Sequence, residues 1–231
     1  MSNDVLGAAL HDYYFSKKQG KLWIINQYGP KEEMPVAMYF RQYNDMPLPE
    51  QAALQYCKGK ILDIGAGAGS HALWLQQHGH AVTAIDTSAK AVEVMQHRGI
   101  TKPLHQDIFD YTGDQFDTLL LLMNGIGLVN TISGLQRFLQ HAKQLLLPGG
   151  QLLFDSSDVA YIYEGNPLPR QYYYGETAYR YQYKKQKTEW FTWLYIDKKL
   201  LKQIAVAEGY AVKFIAEDEY GQYLVRLKLK T

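Results

Sequence analysis

The residues with the clearest chemical potential lie in one short stretch, where an aspartate precedes a glycine-rich loop. Asp63 stands within the apolar run 60–64, and Gly65, Gly67 and Gly69 follow before a segment with helical spacing. Glycine lets a backbone turn sharply and lets a ligand approach where a Cβ would collide. Amides at the start of a helix favour an anionic group such as a carboxylate. The stretch therefore predicts a cofactor seat between a strand and a helix.

A second acidic residue, Asp86, comes 21 positions after Gly65, at the end of the next apolar run. In a doubly wound sheet, a carboxylate there accepts hydrogen bonds from the ribose hydroxyls of an adenosine ligand. A nicotinamide dinucleotide fits this spacing almost as well. Asp63 decides between the two, because its carboxylate would face the diphosphate of a dinucleotide but favours the ammonium group of an amino-acid-bearing ligand. The spacing GxGxG, rather than GxGxxG, agrees with that choice.

The segment from Asp63 to Gly69, DIGAGAG, resembles the first motif of the class I S-adenosylmethionine-dependent methyltransferases. The resemblance covers about residues 60–155 and extends more loosely to the C-terminus. It implies S-adenosylmethionine as the cofactor, with its methionine part held by Asp63 and by the loop residues Gly65, Ala66, Gly67 and Gly69. It also implies that Asp86, with Thr87 beside it, holds the ribose.

The same resemblance implies contacts nearer the adenine and the methyl group. Asp107 matches the residue that contacts the adenine amino group, and Ile108 matches one that lies against the ring. Asn124 matches the loop after the fourth strand, near the methyl group. From the residues alone, Asp107 has a second explanation as an ordinary turn or helix cap, and Asn124 is equally an ordinary partner for loop backbone.

No catalytic residue can be assigned, because methyl transfer by in-line displacement at a sulfonium carbon requires no catalytic triad. Much of the acceleration comes from holding the nucleophile close and aligned in a dry pocket. A hydroxyl acceptor would also need a base, for which His71, Asp155 and Asp158 are the nearest candidates. His71 is also explained as a first-turn residue that makes local hydrogen bonds.

The elements that must position these residues alternate between short apolar runs and segments with helical spacing, which is typical of βαβ units and a parallel sheet. A crossover helix is predicted over 132–146, ended by Pro148-Gly149-Gly150. The predicted fold class is α/β, a doubly wound Rossmann-like sheet of seven strands, mostly parallel with an antiparallel last strand. The strand candidates are 60–64, 81–85, 116–123, 151–154, 211–216 and 223–229.

The chain is predicted to be a single methyltransferase domain, 1–231, with four parts. These are an N-terminal helical cap (1–58), a cofactor-binding core (59–155), an aromatic β-hairpin insertion (156–196) and a C-terminal helix and strand pair (197–231). Aromatic side chains of the insertion alternate with polar residues in two runs, Tyr179, Tyr181, Tyr183 and Phe191, Trp193, Tyr195. The insertion either lines an acceptor pocket or packs as ordinary sheet, and we expect Tyr39 and Arg41 to close over the cofactor.

The composition limits the partners. Lys plus Arg number 24 against 23 for Asp plus Glu, so no positive field favours nucleic acid or anionic lipid, and a small-molecule substrate is expected. Cys57 is the only cysteine, so neither an intramolecular disulfide nor a cysteine metal framework can form; no metal and a cytoplasmic setting are expected. No stretch approaches the roughly 20 apolar residues of a membrane helix. Monomer and homodimer both stay open.

Two alternatives to a methyltransferase remain. One is an NAD(P)-dependent oxidoreductase on a Rossmann-like sheet, and the other is a non-catalytic protein that keeps S-adenosylmethionine as a bound ligand. Among methyltransferases, the DNA enzymes that methylate amino groups fit poorly, because the segment Asn124-Gly125-Ile126 lacks their Asp/Asn-Pro-Pro-aromatic loop. The acceptor itself is not identified by the sequence.

Overall fold

The computed structural model describes residues 4–16, 19–163 and 167–230. Within these ranges the chain forms six α-helices: α1 (Val5–Phe15), α2 (Leu48–Tyr56), α3 (Ser70–Gln77), α4 (Ala89–His97), α5 (Ile132–Leu145) and α6 (Lys198–Ala207). The strands of the same ranges are β1 (Leu22–Asn26), β2 (Glu32–Met34), β3 (Lys60–Ile64), β4 (Ala81–Asp86), β5 (Pro103–His105), β6 (Phe116–Leu121), β7 (Leu146–Ser157), β8 (Glu176–Tyr183), β9 (Gln186–Lys187), β10 (Phe191–Leu194), β11 (Tyr210–Glu217) and β12 (Gln222–Leu229). Across these residues, every helix is too short or too polar to cross a lipid bilayer.

Seven strands form the central sheet, in the order β11-β12-β7-β6-β3-β4-β5. The pairs from β7 to β5 are parallel, whereas β12 runs antiparallel between β7 and β11. The prediction of a seven-stranded, mostly parallel sheet with a reversed last strand is therefore confirmed. Parallel strands end at the same side of a sheet, so the ends of β3, β4, β6 and β7 share one edge, which we call the carboxyl edge.

The helices that cover the sheet begin at side chains suited to capping. Ser88, Thr131 and Asp197 each accept hydrogen bonds from backbone amides in the first turns of α4, α5 and α6. The apolar residues of α5 recur at helical spacing and are buried against the sheet: Leu135, Phe138, Leu139, Ala142 and Leu145. The helix ends before Pro148, as predicted, but β7 begins at Leu146, earlier than the sequence indicates.

The central sheet separates two apolar clusters. Leu62 and Phe154 lie in the cluster on the α5 side, while Ile61 and Leu153 lie in the cluster on the α2 and α3 side. Side chains alternate between the faces of a strand. The carboxylates two positions further along, on β3 and β7, therefore lie on the α2 and α3 face.

A smaller antiparallel sheet has the order β10-β8-β1-β2, with β9 paired to β8. We call it the aromatic sheet. Tyr179 of β8 pairs with Phe191 of β10, and Tyr181 pairs with Ile24 of β1. The sequence predicted helices but no strands before residue 58, and it did not predict the three-residue β5. β1 and β5 have five and three residues, and strands so short leave little local signal in the sequence.

Candidate functional site

β3 leads into the glycine loop, residues 65–69, which turns directly into α3. Gly65, Gly67 and Gly69 have φ values of 70°, 56° and 81°, a region that residues with a Cβ rarely adopt. The amides of Gly65 and Ala66 donate to the carbonyl of Ile85 at 2.9 and 3.0 Å. These bonds fix the loop to the end of β4, so the two predicted halves of the cofactor seat lie together.

Asp63 is buried beneath this loop, with only 2% of its surface exposed. Its Oδ2 is a buried atom without a hydrogen-bond partner, while the backbone amide of Ala72 serves the carboxylate from α3. Burial raises the pKa of Asp63 to about 6. A buried carboxylate oxygen without a donor is costly, and a ligand ammonium group would satisfy it. The side chain thus fits the amino-acid end of S-adenosylmethionine.

Asp86 stands at the end of β4, beside the glycine loop. Its Oδ2 accepts the amide of Gly67 at 2.9 Å, and its Oδ1 accepts the amide of Ser88 at 2.8 Å. Burial raises the pKa of Asp86 against the effect of these bonds. The hydroxyl of Ser88 also donates to Asp4 at 2.7 Å, which ties the start of α1 to this carboxylate. Each oxygen of Asp86 still has a lone pair that can accept a ribose hydroxyl.

Thr87, Asp107 and Ile108 lie around the ends of β4 and β5. The Thr87 side chain is exposed, and its carbonyl accepts Nε2 of His105 at 2.9 Å. Asp107 is exposed and caps a short 3-10 helix by accepting the amide of Phe109 at 2.8 Å. Ile108 is 4% exposed and packs into the apolar cluster on the α5 side. The Asp107 contact matches the alternative interpretation as a cap, and its second oxygen stays available for a ligand.

Asn124 begins the loop after β6, with a positive φ of 53°. Its amide donates to Oδ2 of Asp155 at 3.0 Å, and its Oδ1 accepts the hydroxyl of Ser157 at 3.1 Å. The carbonyl of Asn124 accepts Nε1 of Trp193 at 3.1 Å. Asn124 therefore links the carboxyl edge to the aromatic sheet, and its side chain satisfies neighbouring groups.

A buried ionic cluster lies on the α2 and α3 side, and the sequence did not predict it. Glu50 accepts two hydrogen bonds from Nη2 of Arg41, at 2.8 and 3.0 Å, and its Oε2 lies 2.9 Å from Nε2 of His71. Glu50 and His71 are 2% and 7% exposed. Burial alone would lower the pKa of His71, but the bond to Glu50 and the charge of Asp63 outweigh it and raise that pKa. The protonated, positively charged form of the His71 ring is therefore favoured. In that form the ring balances the charge of Glu50 and cannot remove a proton from a methyl acceptor.

The remaining candidate bases differ in their surroundings. Asp158 is exposed, and its Oδ1 accepts the amide of Ala160 and the hydroxyl of Tyr174 at 2.9 and 2.8 Å. Asp155 is fully buried, its Oδ1 has no partner, and burial raises its pKa to about 6. His71 is paired with Glu50 and Asp158 is exposed, so Asp155 is the candidate base that has a buried oxygen without a hydrogen-bond partner.

The N-terminal part of the chain covers the glycine loop through Tyr39. A Cβ at Gly67 would lie 3.3 Å from Cδ1 of Tyr39, and the hydroxyl of Ser70 donates to the Tyr39 carbonyl at 2.7 Å. Arg41 turns away to Glu50 instead of lying over the loop. Glycine at position 67 is thus required both by its backbone conformation and by the close approach of the Tyr39 ring.

In the described ranges, no group of three or more His, Cys, Asp or Glu side chains is arranged to hold a metal ion. Cys57 is buried with a free thiol, and burial raises its pKa.

Comparison with known proteins agrees with the cofactor seat. A family model described as a methyltransferase domain matches residues 62–154. A demethylmenaquinone methyltransferase of Tropheryma whipplei is 30% identical over 99 residues, and the putative methyltransferase YqeM of Bacillus subtilis is 31% identical over 104 residues. These alignments cover 41% and 42% of this chain, but only 40% and 42% of those relatives. The curated relatives therefore match over less than half of their own length.

One solved structure matches nearly the whole chain. It is the crystal structure of an S-adenosylmethionine-dependent methyltransferase from Bacteroides fragilis in complex with S-adenosylhomocysteine, at 39% identity and a TM-score of 0.91. The alignment covers 99% of this chain and 95% of that one. Neither the oxidoreductase nor the non-catalytic alternative is supported by these relatives. The chain belongs to the S-adenosylmethionine-dependent methyltransferases, the family its glycine loop and flanking aspartates resemble.

Proposed function

We propose that this chain transfers the methyl group of S-adenosylmethionine to a small-molecule acceptor bound where the carboxyl edge meets the aromatic sheet. The observation that supports this most strongly is the free Oδ2 of Asp63, buried under the loop of three glycines with positive φ. An ammonium group is the natural partner for that oxygen. A dinucleotide would place its diphosphate beside the same carboxylate, which is unfavourable.

The proposed cofactor contacts follow the carboxyl edge from β3 to β5. Asp63 binds the ammonium group, and the amides at the start of α3 face the carboxylate of the methionine part. Asp86 accepts the ribose hydroxyls. The loop residues in this proposal are Gly65, Ala66, Gly67 and Gly69, and the residues around the ribose, adenine and methyl group are Thr87, Asp107, Ile108 and Asn124.

The chain's contribution to the reaction is binding, orientation and exclusion of water. S-adenosylmethionine, when bound, supplies a methyl group carried on a sulfonium sulfur. This sulfur is the leaving group and becomes a neutral thioether. Tyr39 covers the glycine loop, and Trp193 holds the aromatic sheet against the loop after β6. Both contacts shield the edge from solvent, which favours an in-line displacement between aligned groups.

The proposed unit is a single domain over residues 1–231. Its parts are joined by contacts between different segments: β1 pairs with β8, and Glu50 contacts His71. The segments 1–58 and 156–196 together cover the core at residues 59–155, and 197–231 complete the central sheet.

A methyl-release assay tests the proposal. The purified chain is incubated with S-adenosylmethionine and a chemically diverse set of acceptors, and formation of S-adenosylhomocysteine is followed. Release that depends on one acceptor class, and that falls in an Asp63→Asn variant, supports methyl transfer. Binding of S-adenosylhomocysteine without turnover of any acceptor class would contradict catalysis.

A further inference from the structure

Four tyrosine side chains form a row above the carboxyl edge. We call Tyr39, Tyr181, Tyr179 and Tyr195 the tyrosine row. The Tyr39 ring lies over Gly67, where an added Cβ would be 3.3 Å from its Cδ1, and the amide of Gly67 donates to Asp86 at 2.9 Å. Tyr39 and Tyr181 pack against the same apolar cluster, and the rings of Tyr179 and Tyr195 are 6.2 Å apart. At the other end, the amide of Ile196, next to Tyr195, donates at 3.0 Å to the hydroxyl of Ser156, next to Asp155. The row therefore runs from the proposed ribose site, at Asp86, to Asp155.

The row presents neutral rings in an acidic environment. Burial is the first cause that raises the pKa of Tyr181 and of Tyr195, each to about 12, so both phenols are uncharged at neutral pH. Burial is also the first cause that raises the pKa of Tyr39 and of Tyr179, and the carboxylates Asp86, Glu32 and Asp155 add to the shifts of Tyr39, Tyr179 and Tyr195, in that order. Such surroundings disfavour an anionic guest. Ring faces beside carboxylates favour a cation.

Asp155 provides the charged anchor at the far end of the row. Its Oδ2 accepts the amide of Asn124 at 3.0 Å and the side-chain amide of Gln222. Its Oδ1 is buried and has no partner among the described residues. The nearby cation is His71, which already pairs with Glu50 at 2.9 Å. One buried oxygen of Asp155 thus remains to receive a donor from a ligand.

We propose, building on the methyl transfer proposed above, that the acceptor is a small amine that enters as an ammonium ion and lies between Asp155 and the tyrosine row. The ammonium donates to Oδ1 of Asp155, and its remaining hydrogens and its substituent face the phenol rings. The tyrosine hydroxyls fix the orientation of polar groups on the acceptor. A carboxylate or phosphate acceptor has no partner in this arrangement.

The proposed reaction begins when the ammonium loses one proton to the Asp155 carboxylate, which leaves a lone pair on nitrogen. Nitrogen forms a bond to the methyl carbon while the bond from that carbon to sulfur breaks, and the electron pair of the broken bond remains on sulfur. The positive charge passes from sulfur to the methylated nitrogen, and the proton on Asp155 returns to solvent after the product leaves.

A binding experiment with matched probes tests the charge preference. The protein is saturated with S-adenosylhomocysteine, whose sulfur is uncharged, and is then titrated calorimetrically with benzylammonium, benzyl alcohol or benzoate. We expect benzylammonium to bind about tenfold or more tightly than the other two, because it alone pairs with Asp155. Equal or tighter binding of the alcohol or of benzoate, or no binding of benzylammonium at millimolar concentration, overturns the proposal.

Two variants locate the preference. Asp155→Asn keeps the side-chain shape and should abolish the preference, whereas Asp114→Asn removes an exposed carboxylate that pairs with Lys60 and Lys102 near the opposite edge of the sheet and should preserve it. Should Asp155→Asn fail to fold, Tyr181→Leu removes one ring face and should weaken benzylammonium binding roughly threefold relative to benzyl alcohol. A preference of unchanged size in whichever of these two variants folds contradicts the proposal. Saturable S-adenosylhomocysteine binding without any preference would overturn the amine assignment alone and leave the cofactor assignment standing.

Discussion

At the scale of single residues, the proposed cofactor site depends on a buried carboxylate, Asp63, and a half-buried one, Asp86. Asp63 has one oxygen served by a backbone amide and one without a partner, while both oxygens of Asp86 hold backbone amides at 2.8 and 2.9 Å. An unpaired oxygen in an apolar interior is a cost that a ligand removes on binding. In the proposed site, Asp63 selects the charge of the ligand, and Asp86 fixes the glycine loop through the amide of Gly67.

The first prediction concerns Asp86→Ala. Loss of charge-assisted bonds to the ribose should weaken S-adenosylhomocysteine binding by about 1.5 to 3 kcal/mol, a factor of roughly 10 to 150 in the dissociation constant. Isothermal titration measures it. Asp114→Ala, which removes an exposed carboxylate remote from the glycine loop, should leave the dissociation constant unchanged. Unchanged affinity in Asp86→Ala would remove the ribose assignment.

The second prediction is a pH dependence. The pKa of Asp63 is raised to about 6, so its carboxylate becomes charged, and able to hold an ammonium group, as pH rises through that value. Affinity for S-adenosylhomocysteine should improve roughly tenfold between about pH 5 and about pH 7. The ligand-free fold responds in the opposite sense, since a raised carboxyl pKa contributes stability at acid pH that is lost as pH rises through about 6.

Matched variants separate Asp63 from its neighbour of similar pKa. Asp63→Asn should abolish the gain in affinity with pH. The pKa of Asp155 is also raised to about 6, but Asp155→Asn should retain the gain. A gain that persists in Asp63→Asn would assign the titration to another group.

The sequence predicted the residues that form one continuous motif and missed those joined only by packing. Asp63, the glycine loop and Asp86 were predicted because a strand, a turn and a helix fix their relative places within a few residues. Glu50 was not, because its partners Arg41 and His71 meet it only once α2 packs beside α3. No local pattern encodes that contact.

At the scale of elements, the central sheet was predictable and the aromatic sheet only in part. β3 has the bounds expected from its apolar run, and β11 and β12 extend the expected pair by one or two residues at their ends. The alternation of Tyr179, Tyr181 and Tyr183 correctly indicated strand β8. β1 was missed although Gly29 and Pro30 mark the turn to its neighbour β2, because β2 has only three residues and the other partner of β1, β8, comes from a distant part of the chain.

The third prediction concerns the junction between the two sheets. A Cβ at Gly127 would overlap the indole of Trp193, so Gly127→Ala should destabilise the fold by about 1 to 3 kcal/mol through overpacking. Urea denaturation measures the change. At Gly29 the nearest atom to an added Cβ is 3.9 Å away, so Gly29→Ala should change stability by less than about 0.5 kcal/mol. Equal effects of the two substitutions would mean that Trp193 does not hold the sheets together.

At the scale of the whole molecule, the site is built from segments far apart in the chain. The central sheet supplies Asp63, Asp86 and Asp155, the N-terminal part supplies Tyr39, and the aromatic sheet supplies Trp193. This arrangement explains why the family and cofactor follow from the sequence of one motif, whereas the proposed acceptor site depends on contacts between the aromatic sheet and the carboxyl edge. The relative in Bacteroides fragilis, which matches across 99% of this chain, spans both parts.

We propose that Asp63, the acidic residue under the glycine loop, selects a ligand with a cationic amino-acid end. Calorimetric titration of the purified chain with S-adenosylhomocysteine and, separately, with NADH is the sharpest test of this selection. We expect saturable binding of S-adenosylhomocysteine and no heat of binding from NADH. Saturable NADH binding, with its diphosphate over residues 65–69 in a crystal of the complex, would contradict it.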